Sequence, residues 1–375
     1  MHLPRQHINR TLECLWGITD HDRLPVRPRA YIPRPKGFIV VEPRPLEIKG
    51  DYTLYLVKKK NMTTLQAAAQ LKNMLGARKV TVSGLKDKEA IAYQYMYVLD
   101  PHHTPRKIQG KDDHLEAWLV KTNISEPWKG SHYYNIFRIL LKLEEPSIEP
   151  GRSEKDTVRY FPNYFGPQRF GTCKPDSHTS GYLILRRKHD YAYRIEYPET
   201  TGPRRIPGRI VKLLVQAYQS YLWNRALSVL VKTYGIDYIV ESKENIGDKL
   251  VGLYCPQSKI RVPAGTLPSG KISLGESVWS QVLGRVLDQE KAWDLLEEME
   301  KYNVRGGIRP ILSRPCHSTI MYNRDHSVTV IFSLPRGSYA TVYLREFFDL
   351  DWIRQCKEIR LGAWRLATIE QQRAG

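Results

Sequence analysis

The sequence predicts an α+β fold with an inserted middle domain, and three observations carry that reading. Strand-like and helix-like stretches alternate irregularly, with no internal repeat. The 375 residues exceed a usual single domain, so two domains are expected. Composition shifts at residues 171–208, where Arg186-Arg187-Lys188 precedes Tyr191, Tyr193 and Arg194 and then the break Thr201-Gly202-Pro203-Arg204-Arg205-Ile206-Pro207-Gly208.

Residues 1–36 end in a Pro/Arg-rich arm, 24–36, of polyproline character and without a core of its own. It presents Arg27, Arg29, Arg34 and Lys36, and reads either as a contact to a phosphate backbone or as a linker. Residues 37–42 and 52–58 predict strands. Residues 64–75 predict a helix, with Thr63 and Thr64 as capping candidates, an apolar stripe through Leu65, Ala68, Ala69, Leu71 and Leu75, and Gly76 as the stop. Strands follow at 79–83, 90–98 and 137–143. Ile210, Leu213, Leu214, Ala217, Tyr218, Tyr221 and Leu222 fall at helical spacing in the clearest helix, 209–234, whose stripe reads as a core face. A second long helix is expected at 278–301, ended by Asn303-Val304-Arg305-Gly306-Gly307, and strands return at 319–321 and 327–332. The resulting division is an extension (1–36), a first part of the main domain (37–171), an insertion (172–307), and a last part with a tail (308–375).

Charge is the strongest compositional signal. Lys and Arg number 58 against 39 Asp and Glu, a net +19. Such an excess is the footprint of a polyanionic partner, and 23 Tyr and 8 Trp suit stacking on unpaired bases. A membrane surface is disfavoured because no amphipathic anchor or lipidation site is present. No run approaches transmembrane length, and the N-terminus lacks a signal-peptide core. The five cysteines are scattered and odd in number, which argues against a disulfide framework. The lack of any Cys-x-x-Cys pair argues against zinc, and His102-His103 reads as a solvated loop. The expected compartment is the cytoplasm.

Chemistry concentrates in Ser83-Gly84-Leu85-Lys86-Asp87-Lys88-Glu89-Ala90, between an apolar strand and a Tyr-rich alternating one. Loops between strands commonly present catalytic groups, and Lys-Asp-Lys-Glu cannot be buried without partners. Taken alone, an ordinary charged hairpin turn accounts for it. Elsewhere, Gly265-Thr266-Leu267-Pro268-Ser269-Gly270-Lys271 approaches a phosphate-binding loop, but Ile272 replaces the hydroxyl that would bind Mg²⁺. Gly-x-Gly-x-x-Gly, His-Glu-x-x-His and Gly-x-Ser-x-Gly are absent. What remains is cofactor-free chemistry in which a carboxylate acts alone.

Four segments in order resemble the TruD family of RNA pseudouridine synthases: Ser83 to Ala90 around Asp87; Tyr134-Asn135-Ile136-Phe137-Arg138-Ile139; Pro162-Asn163-Tyr164-Phe165-Gly166-Pro167-Gln168-Arg169-Phe170-Gly171; and Phe332 to Thr341 with Leu344-Arg345-Glu346. Gln219-Ser220-Tyr221-Leu222-Trp223-Asn224 adds a weaker match. The matches span about 37–346. Tyr134 replaces the family's glycine, Pro35-Lys36-Gly37 replaces its Pro-Glu-Asp, and Ile32 falls where a basic residue is usual, a role that Arg29 or Arg34 could take. Residues 1–28 match nothing.

The resemblance implies a mixed, mainly antiparallel pseudouridine-synthase sheet flanked by helices, with an inserted α/β (TRUD) domain. It also implies uridine isomerisation in tRNA, with position 13 of the D arm as the leading target, no cofactor and no metal. It makes Asp87 catalytic, through attack at C1′ or the ring or as a base at the ribose, and these alternatives stay open. Arg345 is the candidate cation that keeps Asp87 ionised, because Lys86 and Lys88 should point away on an extended segment. Phe38, Phe137 and Tyr339 are candidates to hold an extruded base, and Asn135 to pair with its edge. Phe137 and Phe165 serve equally as core, and 162–171 equally as an interdomain hinge. A non-catalytic RNA-binding protein of this fold and another tRNA-modifying enzyme are the alternatives.

Overall fold

The protein was analysed as a computed structural model, in which the described residues are 5–45, 48–110, 112–126, 133–145, 153–155, 159–171, 173–174, 176–198, 205–255, 258–270, 272–352 and 354. The chain begins with α1 (Arg5–Leu15), β1 (Arg29–Tyr31), β2 (Phe38–Val41), β3 (Lys49–Lys60) and α2 (Thr64–Leu75). Next come β4 (Lys79–Val82), β5 (Ile91–Leu99), β6 (Lys107–Gln109), β7 (Leu115–Ile124), β8 (Tyr134–Leu143), β9 (Ser153–Lys155) and β10 (Phe161–Pro162). The middle is largely helical: α3 (Ser177–Leu185), α4 (His189–Glu196), α5 (Gly208–Tyr234), α6 (Ile236–Glu241), α7 (Lys243–Ile246), the strands β11 (Lys249–Cys255) and β12 (Ser258–Leu267), then α8 (Val278–Gln289) and α9 (Trp293–Lys301). The chain returns through β13 (Gly307–Pro310), β14 (Leu312–Ser313), β15 (Ser318–Tyr322), β16 (Ser327–Pro335), α10 (Ala340–Leu344) and β17 (Asp349–Leu350).

A 12-stranded sheet in the order β6-β7-β3-β5-β2-β8-β16-β15-β9, with β4 beside β5 and β1 between β8 and β17, organises the molecule. Only the β2–β5 and β1–β17 pairings are parallel among those described. The fold is therefore mixed α+β with a mainly antiparallel sheet. At its centre β8 lies between β2 and β16, so Phe137 pairs across strands with both Val40 and Phe332. One apolar cluster runs from Trp16 through Phe38, Phe137 and Phe332 to Trp223 and Trp279 of the middle region. A separate cluster holds α2, through Leu71 and Leu75, against Tyr55, Val57, Met96 and Val98.

α2 has the predicted bounds because its ends are chemically specified. Thr63 and Gln66 form a reciprocal capping box, and Gly76 takes the left-handed stop at φ 58°. The single helix expected at 278–301 is instead two, divided at Lys291, which stands at φ 48°. The turn lets Leu283 and Leu287 on one helix, and Leu295, Leu296 and Met299 on the other, face the same core.

The Pro/Arg arm is no free linker: its β1 joins the sheet, and Arg29 pairs with Glu144 at 3.0 Å and Asp349 at 3.7 Å. Gly265, in the near-miss phosphate loop, lies against the Trp279 indole, where a Cβ would come within 2.3 Å. The cysteine reading is also corrected, since Cys173 and Cys316 are disulfide-bonded while Cys14 is a free thiol. Among the described residues no helix is long and apolar enough to cross a membrane.

Candidate active site

Residues 83–90 connect β4 to β5, and three buried polar side chains fix this loop. Glu42, just beyond β2, accepts from Ser83 Oγ at 2.7 Å and Lys86 Nζ at 3.1 Å through Oε1, and from the Tyr95 N–H at 2.8 Å through Oε2. Thr64 Oγ1 accepts from the Lys86 N–H at 2.9 Å. Lys59 Nζ donates to the carbonyls of Asp87 at 2.6 Å and Met62 at 2.9 Å. Burial pushes the Lys59 ammonium down to about 8, with Asp87 opposing that shift and Lys86 adding to it. Lys86 thus faces inward to Glu42, and the Asp87 carboxylate projects the other way with its side chain 32% exposed.

Asp87 stands at the wall of a cavity of about 450 Å³, within the range of small-ligand sites. Phe38 and Val40 enter from β2, Asn135 and Phe137 from β8, and Tyr339 from the segment before α10. Phe38 meets Phe137 edge-on at 6.1 Å, and Phe137 stacks on Phe332 at 5.2 Å, so Phe137 serves both cavity and core. Asn135 lines the cavity, and its Oδ1 is buried without a hydrogen-bond partner. Tyr339 packs edge-on against Phe165 at 6.1 Å. Burial raises its hydroxyl pKa; Arg169 and Arg309 oppose that shift and Asp87 adds to it. Among the described residues, no group of three or more His, Cys, Asp or Glu side chains could hold a metal ion.

Of the expected site residues, Asp87, Phe38, Asn135, Phe137 and Tyr339 line this one cavity, whereas Arg345 does not. Arg345 is 2% exposed and engaged elsewhere: Nε to Glu13 Oε2 and Nη2 to Asp20 Oδ1, both at 2.8 Å. Those two acids lie outside the matched motifs, so nothing in those motifs foretold the pairing. Among the described residues, the cation ion-paired with the Asp87 carboxylate is Arg34, with Nη1 3.9 Å from Oδ2. Arg34 also lies over the Phe38 ring at 4.1 Å and donates to the Glu89 carbonyl at 2.9 Å. Burial lowers its pKa, and Asp87 and Glu89 oppose the shift.

The Pro162–Gly171 motif forms the facing wall and also ties the main sheet to α5. Phe165, Gln168 and Arg169 line the cavity. Arg309 lies 3.9 Å from the Phe165 ring centre and donates to Asn163 O and Oδ1, each at 3.0 Å, and to Gly337 O at 3.1 Å. Burial pulls Arg309 down to about 10, Tyr339 opposes that, and Arg169 adds to it. The Gln219–Asn224 match is the brace behind this wall. Ser220 accepts from Arg169 Nε, Trp223 donates to Asn163 O, and Asn224 accepts from the Phe165 N–H at 2.8 Å while donating to the carbonyls of Trp16 and Phe165. Arg309 was missed from sequence because Ile308-Arg309-Pro310 carries no motif; Arg336, which donates to Ser83 O at 2.8 Å, lies within the Phe332–Thr341 motif but was not singled out there. Glu42 had one available signal, a lone acid closing an apolar strand.

Comparison with known proteins places the chain in a family. The sequence profile of the family described as tRNA pseudouridine synthase D (TruD) matches residues 33–201 and 196–347. The tRNA pseudouridine synthase D of Aquifex aeolicus is 25% identical, over 85% of this chain and 97% of that protein. A probable tRNA pseudouridine synthase D of Pyrobaculum aerophilum is 30% identical, over 79% of this chain and 83% of its own length. The crystal structure of a Methanosarcina mazei protein assigned to the same family superposes with a TM-score of 0.61 at 18% identity, covering 94% of this chain and all of that one. With the profile matching most of the chain and the fold shared over 94% of it, the chain belongs to the tRNA pseudouridine synthase D (TruD) family and is, by that membership, a pseudouridine synthase.

Proposed function

We propose that this chain isomerises uridine to pseudouridine in tRNA, at position 13 of the D arm, with Asp87 as the catalytic residue and no cofactor. The observation that carries the reading is the convergence of Asp87, Phe38, Asn135, Phe137 and Tyr339, from four sequence-distant segments, on one cavity. A uridine must leave its stack to be reached, and an aromatic-walled cavity receives such a base. Phe38 and Tyr339 bound the ring, and the unpaired Asn135 Oδ1 accepts from the uracil N3–H. The Arg34 guanidinium stands 3.9 Å from the Asp87 carboxylate, an ion-pair partner at the cavity wall. In the reaction the C1′–N1 bond breaks, the base turns, C5 bonds to C1′, and the C5 proton is given up as N1 gains one. Atoms and electrons balance within the nucleotide, and the role left to Asp87 is to assist C1′–N1 cleavage. The inserted segment, 172–307, supplies further RNA contacts, and the cytoplasm is the compartment proposed for the reaction.

The test is to incubate the protein with unmodified tRNA transcript, without cofactor, and to map pseudouridine. Product at position 13 is expected, and Asp87→Asn should lose activity by at least about 10³-fold while still binding RNA. RNA binding by wild type without product defeats the enzymatic reading. A fully active Asp87→Asn removes Asp87 from its role.

A further inference from the structure

Away from Asp87, the middle region carries a cavity of about 1100 Å³ where the start of α4, the start of α5 and the end of α9 meet. Arg205, Arg209, Lys212 and Lys301 line it against one carboxylate, Asp190. Neighbouring cations are spent internally: Arg186 pairs with Asp294, and Arg187 and Lys301 both pair with Glu298. Arg205, Arg209 and Lys212 differ. Among the described residues none of the three has a hydrogen-bonded or ion-paired side-chain partner, and Arg209 and Lys212 share one face of α5 at three-residue spacing.

We infer that this basic hollow is a second RNA-binding site, which takes the phosphodiester backbone of the same RNA at a distance from the target nucleotide. The inference rests on the proposed tRNA reading and extends it. A cavity this open, with dispersed and unneutralised cations, suits a chain of phosphates better than one small anion. Its place on α5 gives the geometry. Arg209 lies eleven residues before Ser220, which accepts from Arg169 at the catalytic cavity. At 1.5 Å per residue that is about 16 Å, on the order of five stacked nucleotide steps. Contacts so far from the reacting bond hold substrate and transition state equally, so they act on affinity and not on the chemical step.

The experiment uses tRNA transcript as the probe and compares wild type, the triple variant R205A/R209A/K212A, and a control with the same charge loss elsewhere, K72A/K107A/K232A. Affinity is measured across a salt series, alongside pseudouridine formation. The triple variant should bind about tenfold or more weakly, with the slope of log K against log salt reduced by about 2–3. Its KM should rise in parallel while kcat stays within about twofold of wild type. Affinity and slope indistinguishable from the control overturn the site, as does a kcat loss with affinity unchanged. If wild type binds but makes no pseudouridine and the triple variant still loses affinity, the enzymatic reading fails while the site stands.

Discussion

Asp87 owes its position to a lysine that never reaches the cavity. Lys59 is fully buried, and its two hydrogen bonds end on main-chain carbonyls, one of them that of Asp87 itself. Lys59→Met keeps the length and removes the donors, so the loop should shift without losing its charge pattern. We expect kcat to fall about 10- to 100-fold with KM changed much less, measured by steady-state kinetics on tRNA transcript. A variant with wild-type kcat would show that Glu42 and Thr64 suffice to hold the loop. The residue scale is also where sequence reading did best and worst. Asp87, Phe38, Asn135, Phe137 and Tyr339 sit in motifs and meet in space. Arg345 sits in a motif as well, yet its guanidinium is taken by Glu13 and Asp20, over 300 positions earlier. Local pattern has no access to such a distant partner. Arg34, the cation found near Asp87, lies in a segment whose departure from the family pattern left Arg29 and Arg34 indistinguishable by sequence.

Elements were legible in proportion to how locally they are specified. α2 carries its own caps and α5 its own long stripe, and both appear within a residue of expectation. β6 and β10, of three and two residues, depend on their neighbours across the sheet and leave no period to read. α5 also shows how an element takes part in a site without lining it. Asn224 is wholly buried and satisfies the Phe165 amide and the carbonyls of Phe165 and Trp16. Asn224→Ala leaves these groups stranded, and denaturant unfolding should show a loss of about 3 kcal/mol. A loss below about 1 kcal/mol would mean that the wall segment holds its shape without the brace.

At the scale of the whole molecule, the segment 9–23 is a third participant alongside the sheet and the middle helices. Trp16 stacks on Phe170 at 6.0 Å and meets Trp352 edge-on at 6.1 Å. Arg23 forks onto Glu346 at 2.8 and 2.9 Å, and burial of Asp20 is outweighed by Arg345 and Arg23, which bring its carboxyl down to about 2. His21 makes this junction pH-sensitive. Burial works against its charged form, but hydrogen bonds to Cys14 and Glu13 and the charge of Glu13 carry it up to about 9. Because the folded value lies above the unfolded one, the stabilisation is complete below about pH 6.5 and is lost as pH rises through about 9. Unfolding measured at both ends of that window should show wild type losing about 2 kcal/mol more than His21→Gln. Equal pH profiles would remove His21 from the account.

The pairing of Glu13 and Asp20 with Arg345 also bears on the order of assembly. A ribosome delivers the two acids more than 300 residues before their cation. Until Arg345 emerges, Glu13 can pair with His21 and Asp20 with Arg23, but neither acid has its full set of buried partners, so the junction that gathers sheet, middle helices and leading segment closes late in synthesis. Ring closure over so long a stretch is slow, and Trp16 and Phe170 are left waiting for Trp352 in the meantime. The growing chain therefore carries exposed aromatic surface for most of its synthesis, and that interval is when it most needs protection from aggregation.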